Sequence, residues 1–401
     1  MTGLASLRIL RAVGVGVVLF GVQVRASAYQ LTTLASFPGG ELRTPNGALA
    51  TDGTYLYGTV EGIYPNGGAV YRVGLDGSGL AVIRYLNNSS TGYNPYGGVT
   101  VADSKLFGVT YRGGPPTNST IGSGTVFAMN LDGSNHQILR TFGNAATPSR
   151  RPHETVTMIG STLYGTTTGQ QIYDYGAVYR VNSDGTNFQF LHQFNGVTGS
   201  YPATRLQLIG DKLYGATAGF SVDSYNGGTI FSINTDGTDF QLLHALGIGE
   251  GLHVEGDLAL VDGVLFGVTT DGGANNGGTI FQLNLDGTGF QTIHSFPPNS
   301  APQGGVTYLA GKLFGTTSLG NTIFGINPDG SSFETVHAFG DQMYPVTRLL
   351  TVGSTLYGTT ERGGTAGFGT VFALTIPEPS SVCLAIMAGL VASTFGCRRY
   401  R

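Results

Sequence analysis

The chain has no tryptophan, only two cysteines and few charged residues for its length of 401. Charged side chains make up 11% of the sequence, less than half of the usual share of about 25%, which excludes a coiled coil and a charged disordered tail. Hydrophobic residues, at 40%, are abundant enough for a large core, so wholesale disorder is also excluded. The 66 glycines lack the period of three that collagen requires. These features predict an all-β protein with many tight turns.

The first 28 residues have the three parts of a secretory signal peptide. Arg8 and Arg11 form a basic start, residues 12–22 are apolar, and Ala26 and Ala28 form a small-x-small cleavage site. Eleven apolar residues are too few for a helix that spans a membrane, which takes about 20. We therefore expect cleavage before Tyr29 rather than an N-terminal membrane anchor.

The last 25 residues form a second signal with three parts. Pro377, Glu378 and Pro379 come first, the apolar stretch 380–397 follows, and the chain ends with a cluster that includes Arg398 and Arg399. The apolar stretch is nearly long enough to cross a bilayer, with the basic end on the cytoplasmic side. A plain C-terminal membrane anchor would have the same apolar stretch.

In all three parts this C-terminus resembles the PEP-CTERM sorting signal of Gram-negative bacteria. The resemblance implies processing by an exosortase-type enzyme, a transient inner-membrane anchor and export to the cell surface or an exopolysaccharide matrix. Six of the 20 basic residues lie in the two terminal signals, which leaves 14, and all 24 acidic residues remain if Glu378 is kept, so the net charge is near −10. This charge argues against nucleic acid and anionic membranes as partners. Cys383 and Cys397 both lie in the tail, so no disulfide is expected in the remaining domain.

Between the signals one motif occurs seven times. Its anchor is an aromatic residue followed by glycine, and the anchor glycines are Gly58, Gly108, Gly165, Gly215, Gly267, Gly315 and Gly358. A small, β-branched, aromatic triplet follows each anchor, and six of the seven units then carry Asp-Gly. Asp-Gly between apolar runs is a strong hairpin signal. Four short antiparallel strands in roughly 50 residues correspond to one blade of a β-propeller.

The seventh unit stops after its third strand, and the missing fourth strand appears at the other end of the chain. Residues 29–37 match the pattern of the fourth strand at residues 290–296. The sequence therefore predicts a seven-bladed β-propeller over residues 29–376, closed because the N-terminal strand completes the last blade. An open β-solenoid is the alternative, but it would not need a split unit.

The repeats resemble the tandem "GloVer" repeats of exported bacterial proteins. Residues 163–167 and 277–288 carry the similarity, which covers nearly all of 29–376. The resemblance implies no established enzymatic activity. Similarity to kelch repeats is weaker, because the tryptophan common in kelch blades is absent.

The loops between the second and third strands vary in length, and they lie on one face together with the connections between blades. Function generally lies on loops held by a rigid scaffold. Tyrosine with Asn, Asp, Glu and Arg suits sugars, because aromatic rings stack on them and polar groups bind hydroxyls; solvated loops would carry the same residues. The candidate ligand-binding residues are Glu61, Tyr64, Tyr111, Arg112, Tyr173, Tyr175, Tyr225, Asn226, Asp271, Glu361 and Arg362.

We predict no metal, no cofactor and no catalytic residue. His192, His244, His294 and His337 occupy one position in four fourth strands, so they would lie on separate blades, too far apart to share a metal ion. The Asp-Gly aspartates are explained by turn chemistry rather than by calcium. A pair among Glu61, Asp271 and Glu361 would support glycoside hydrolysis if about 5 to 9 Å apart.

The sequence favours an exported, monomeric and non-enzymatic propeller that binds extracellular polysaccharide or a surface protein. The alternative is a lyase or hydrolase that acts on polysaccharide through acids near the channel. A third hypothesis is a purely structural matrix protein.

Overall fold

The computed structural model describes residues 29–40, 42–61, 67–86, 90–114, 123–143, 151–169, 174–219 and 227–377. The predicted cleavage site at Ala26 and Ala28, and the sorting-signal residues from Glu378 onward, lie outside these ranges. Tyr29–Ile376 forms one compact unit. In the ranges described, no helix has the length and hydropathy needed to cross a membrane.

The described chain is built from short strands. Their bounds are β1 Gln30–Ser36, β2 Ala50–Thr51, β3 Tyr55–Glu61, β4 Gly68–Gly74, β5 Ala81–Tyr85, β6 Val99–Ala102, β7 Lys105–Thr110, β8 Thr125–Asn130, β9 Gln137–Thr141, β10 Thr157–Ile159, β11 Thr162–Thr167, β12 Ala177–Asn182, β13 Gln189–Gln193, β14 Gln207–Ile209, β15 Lys212–Thr217, β16 Thr229–Asn234, β17 Gln241–Ala245, β18 Leu252–Val254, β19 Ala259–Val261, β20 Val264–Asp271, β21 Thr279–Asn284, β22 Gln291–Ser295, β23 Pro302–Leu309, β24 Lys312–Thr317, β25 Thr322–Ile326, β26 Glu334–Ala338, β27 Leu350–Val352, β28 Thr355–Thr360 and β29 Thr370–Thr375.

These strands form seven antiparallel sheets, which confirms the seven-bladed β-propeller. Blades 1 to 4 are β2–β5, β6–β9, β10–β13 and β14–β17; blade 5 is β18–β22; blade 6 is β23–β26; blade 7 is β27–β29 with β1. The middle strands are buried on both faces, as β16 shows, because neighbouring blades cover both faces of each sheet. The core therefore lies between blades: one cluster joins Val178 and Phe194 of blade 3 to Phe231 and Ile233 of blade 4.

The N-terminal strand closes the ring as the sequence predicted. β1 pairs antiparallel with β29, with Gln30 opposite Thr375 and Ser36 opposite Thr370. The pairing contains a bulge between Thr33 and Ala35, and the third and fourth strands of the other blades carry the same irregularity. Closure removes the edges that an open ring would expose.

The anchor glycines are required by packing. A Cβ atom at Gly215 would lie 2.7 Å from Cζ of Phe231, the aromatic residue of the third strand. At Gly165 it would lie 2.5 Å from Oη of Tyr179. Each glycine therefore makes room for the tip of an aromatic ring from the adjacent strand.

The Asp-Gly hairpins are longer than two-residue turns. In blade 2 the third strand ends at Asn130 and the fourth begins at Gln137. Only Gly133 of the Asp-Gly pair has positive φ, at 82°, while Asp132 Oδ1 accepts a 2.9 Å hydrogen bond from the backbone N–H of Ser134. The aspartate is thus retained because its carboxylate caps the turn.

Candidate functional site at the channel mouth

Seven equivalent connections between blades surround the entrance of the central channel. In six of them a proline stands thirteen residues before the anchor glycine, and Val254 replaces it in blade 5; the prolines are Pro45, Pro95, Pro152, Pro202, Pro302 and Pro345. The residue before this position has a φ between 48° and 63° in all seven connections: Thr44, Asn94, Arg151, Tyr201, His253, Ala301 and Tyr344. Non-glycine residues in this conformation carry strain, which concentrates at ligand sites.

The seven connections share this backbone conformation, but their side chains differ from blade to blade. The residue after the proline position lines one cavity in every blade: Asn46, Tyr96, His153, Ala203, Glu255, Gln303 and Val346. The cavity has a volume of about 290 Å³ and is also lined by Glu154, Thr155, Tyr201, Asp257, Arg348 and Glu361. Convergent polar and aromatic groups in a concave cavity are typical of a ligand site.

A histidine–carboxylate pair lies at the centre of this site. His153 Nδ1 lies 2.8 Å from Oε1 of Glu154, and 28% of the histidine side chain is exposed. Burial lowers the pKa of His153, but the hydrogen bond to Glu154 and the negative charges of Glu154, Glu255 and Glu61 outweigh it and raise the pKa above its usual value. The carboxylates around His153 thus favour the protonated form of the imidazole.

Aromatic rings cluster around His153. The ring of Tyr96 stacks on the imidazole at 5.2 Å, and Tyr111 meets both rings edge-on, at 5.2 Å from Tyr96 and 5.9 Å from His153. Tyr201 lies on another side of the imidazole, at 6.2 Å. Together these rings form an aromatic wall on the side of blades 2 to 4.

Carboxylates face the same space. Glu61 accepts a 2.8 Å hydrogen bond from the hydroxyl of Tyr96, and Glu255 accepts one of 3.3 Å from Gln303. Burial raises the pKa of Glu255, with partial compensation from the nearby histidines. Burial also raises the pKa of Glu361, and the negative charge of Glu61 adds to the effect.

Two arginines near the channel, Arg348 and Arg205, form hydrogen bonds with neighbouring groups. Arg348 Nη1 donates to Asp257 Oδ2 at 2.9 Å, and the backbone N–H of Arg205 donates to the other oxygen of Asp257 at 3.1 Å. The Arg205 side chain donates from Nε to the Thr157 hydroxyl at 3.2 Å, and burial lowers its pKa. Among the described residues that line the cavity, the carboxylates Glu154, Glu255, Asp257 and Glu361 therefore outnumber the single arginine, Arg348.

Four of the residues predicted from the sequence belong to this site or border it. Glu361 lines the cavity, Glu61 binds the Tyr96 that lines it, and Tyr111 is part of the aromatic cluster. The Arg112 guanidinium lies 5.9 Å from the centre of the Tyr111 ring.

The other predicted residues lie elsewhere. Asp271 contacts His253 at 3.1 Å, is 54% exposed and does not line the cavity, because it follows its anchor glycine by four residues where Glu61 and Glu361 follow theirs by three. Arg362 stacks on Tyr344 at 5.2 Å, and Tyr175 packs between blades 3 and 4. Tyr64, Tyr173, Tyr225 and Asn226 lie outside the described residues.

The histidines of the fourth strands have a packing role. His192 stacks on Phe240 of the next blade at 3.6 Å, His244 on Phe290 at 3.9 Å and His294 on Phe333 at 4.0 Å. Within the described ranges, no group of three or more His, Cys, Asp or Glu residues is placed to hold a metal ion.

Sequence reasoning missed the principal residues of the site. Tyr96, His153, Glu154, Tyr201 and Glu255 repeat no residue type at an equivalent position, so they form no motif. The available signal was the proline thirteen residues before the anchor glycine in six of the seven blades, which marks the equivalent positions whatever side chains follow it.

The fold and the site define a seven-bladed β-propeller with a polar, aromatic cavity at the mouth of its channel. The model of the Gloeobacter/Verrucomicrobia repeat matches residues 116–321, just over half of the chain. The chain therefore belongs to this repeat family. A search of curated proteins gives no match.

Solved structures share the fold at low sequence identity. Virginiamycin B lyase from Staphylococcus aureus is 16% identical with a TM-score of 0.62, over 87% of this chain and 99% of that one. Oligogalacturonate lyase from Vibrio parahaemolyticus is 11% identical with a TM-score of 0.56, over 87% and 94%. BamB from Moraxella catarrhalis is 11% identical with a TM-score of 0.52, over 83% and 84%. These similarities establish the architecture alone, and that architecture occurs in both enzymes and a protein that is not named as one.

Proposed function

We propose that the protein is an exported propeller that binds a saccharide of the cell surface or extracellular matrix at its channel mouth. One observation carries the proposal: seven equivalent connections bring Tyr96, His153 and Tyr201 together with several carboxylates around one cavity. Flat rings match the apolar faces of sugars, and carboxylates accept hydrogen bonds from hydroxyl groups. The cavity volume of about 290 Å³ suits a single sugar unit better than a long segment, which would extend across the rim.

The two terminal signals are the support for export and for a location at the cell surface. The signal peptide and the PEP-CTERM-like tail are features of the sequence, and they imply an exosortase-type enzyme as a processing partner. The net charge near −10 outside these signals supports a partner other than nucleic acid or an anionic membrane.

An enzyme that cleaves polysaccharide is the second candidate. It is favoured by the convergence of Glu255 and Glu361, whose pKa values are raised, with the His153–Glu154 pair. Groups with raised pKa values in a cleft are suited to donate protons.

One experiment separates binding from cleavage. Residues 29–376, which form the closed ring, are incubated with exopolysaccharide from the producing organism, and both co-sedimentation and new reducing or unsaturated ends are measured. We expect co-sedimentation without new ends, and we expect Tyr96→Ala to weaken it at least tenfold. Tyr308→Ala is the matched control, because Tyr308 is 42% exposed and does not line the cavity.

New ends that disappear in Glu255→Gln would replace the binding proposal with the enzymatic one. Neither binding nor new ends would argue against saccharide recognition altogether.

A further inference from the structure

The charges at the channel mouth are unbalanced in a way that restricts the ligand. Among the described residues that line the cavity, the one arginine is Arg348, which is held by Asp257 at 2.9 Å, and the one imidazole is His153, which contacts Glu154 at 2.8 Å. Arg151 and Arg362 do not line it; they lie over the rings of Tyr111 at 5.3 Å and Tyr344 at 5.2 Å. Glu255 and Glu361 also line it, and Glu61 lies behind Tyr96. A ligand that carries a carboxylate would meet like charges here, whereas a cation would be attracted.

The aromatic wall also favours a ligand with a positive charge. Tyr96 and Tyr201 line the cavity, and their rings present faces and edges around His153. The face of a tyrosine ring attracts an ammonium group because its π-electrons carry partial negative charge. Aromatic rings combined with carboxylates are the usual surroundings of a bound amine.

Two polar oxygens in the cavity lack partners. Thr155 lines the cavity and is only 5% exposed, and its buried hydroxyl has no hydrogen-bond partner among the described residues. Asn46 also lines the cavity, and its side-chain oxygen is likewise buried without a partner there. Both accept hydrogen bonds, as do the carboxylates, and an ammonium group is a donor of three hydrogen bonds with no acceptor.

We propose that the channel mouth recognises a hexosamine with a free amino group, as found in a partly or fully deacetylated amino-sugar polymer. This inference rests on the proposed saccharide-binding function and narrows it to one class of ligand. The ammonium group would lie among Glu255, Glu361 and the Thr155 hydroxyl, with the sugar ring against the aromatic wall.

Calorimetric titration of residues 29–376 tests the proposal with three probes of equal length. These are hexamers of glucosamine, of N-acetylglucosamine and of galacturonic acid. We expect the glucosamine hexamer to bind at least tenfold more tightly than the acetylated one, and the galacturonate hexamer to give no binding. The double variant Glu255→Gln, Glu361→Gln should lose this tenfold preference, because amides keep the shape of the side chains but not their charge.

Asp211→Asn is the matched control. It removes one negative charge from an exposed turn on the opposite face of the ring, so it should leave the preference for glucosamine unchanged.

The possible outcomes separate the two proposals. Equal affinity for the glucosamine and N-acetylglucosamine hexamers would overturn the amino-group inference and leave saccharide binding in place. Preference for galacturonate would do the same. If no saccharide binds, both proposals fail, and binding of a lysine hexapeptide, tested as a fourth probe, would assign the cation-binding site to a basic peptide instead.

Discussion

At the scale of single residues, the repeat is held by a glycine and the aromatic ring that covers it. In five blades this ring is phenylalanine, and in blades 1 and 3 it is Tyr71 and Tyr179. Both tyrosines are fully buried, and their hydroxyl groups have no hydrogen-bond partner among the described residues. Burial raises the pKa of both phenols. A buried hydroxyl without a partner costs about 1–3 kcal/mol.

We therefore predict that Tyr179→Phe stabilises the protein. The free energy of unfolding should rise by about 1 kcal/mol, because the variant removes a desolvated hydroxyl and keeps the ring that packs on Gly165. Urea unfolding of residues 29–376 measures the change. The reciprocal control is Phe231→Tyr in blade 4, which should lower the stability. A clear loss of stability in Tyr179→Phe would mean that the hydroxyl is bonded in solution.

At the scale of elements, each fourth strand packs on the hairpin of the next blade. The fourth residue after the Asp of each hairpin is Phe188, Phe240, Phe290 or Phe333 in blades 3 to 6. Arg140 stacks over the first of these at 4.0 Å, and histidines stack over the other three. Blade 2 differs, because His136 occupies the position of the phenylalanine.

The imidazole of His136 makes stability depend on pH. Burial and, to a smaller extent, the positive charge of Arg84 lower its pKa to about 4. Because the unfolded chain binds the proton near pH 6.5 and the folded chain does not, the contribution is complete above pH 6.5 and is lost as the pH falls toward 4.

We predict that His136→Phe reduces this sensitivity to acid. The gain in free energy of unfolding relative to the original protein should be about 1 kcal/mol larger at pH 4.5 than at pH 7.5. The whole pKa shift would give a larger change, at about 1.4 kcal/mol for each pKa unit, but the ring is partly exposed and solvent screens its charge. Chemical unfolding at the two pH values checks it, with His253→Phe at the rim as the comparison. Parallel pH profiles for His136→Phe and the original protein would contradict the assignment.

At the scale of the whole molecule, the ring depends on one strand from its other end. β1 covers the outer edge of β29 along its whole length, and Phe37 is fully buried in the cluster between blades 7 and 1. Loss of β1 would expose both the strand edge and the core behind it.

We predict that a chain beginning at residue 38 loses cooperative unfolding and aggregates. A peptide of residues 29–37 added in trans should restore the transition, because it supplies the same backbone hydrogen bonds. Thermal unfolding and size-exclusion chromatography measure both effects. A chain that ends at residue 376 is the control and should unfold as one unit. An unchanged melting temperature after removal of β1 would show that closure contributes little.

The sequence was sufficient for the ring and insufficient for the site. Each blade carries the glycine and the aromatic triplet, and the six blades with a hairpin between their third and fourth strands carry its aspartate, because packing and turn geometry require them in every copy. The side chains that follow the proline position are under no common packing requirement. His153 and Glu255 therefore belong to no repeated sequence motif. Glu61, Asp271 and Glu361 were predicted together as loop residues that follow an anchor glycine, but Asp271 is displaced by one residue, which in a strand reverses the direction of the side chain.

Ring closure also determines on which face of the ring its two ends lie relative to the cavity. Gln30 and Thr375 are paired neighbours, and both lie at the hairpin end of blade 7, since Ser36 and Thr370 mark the end nearer the channel mouth. Gln30 and Thr375 therefore both lie on the face of the ring opposite the cavity. A label or linker joined to either end of residues 29–376 should consequently leave the cavity open to its ligand.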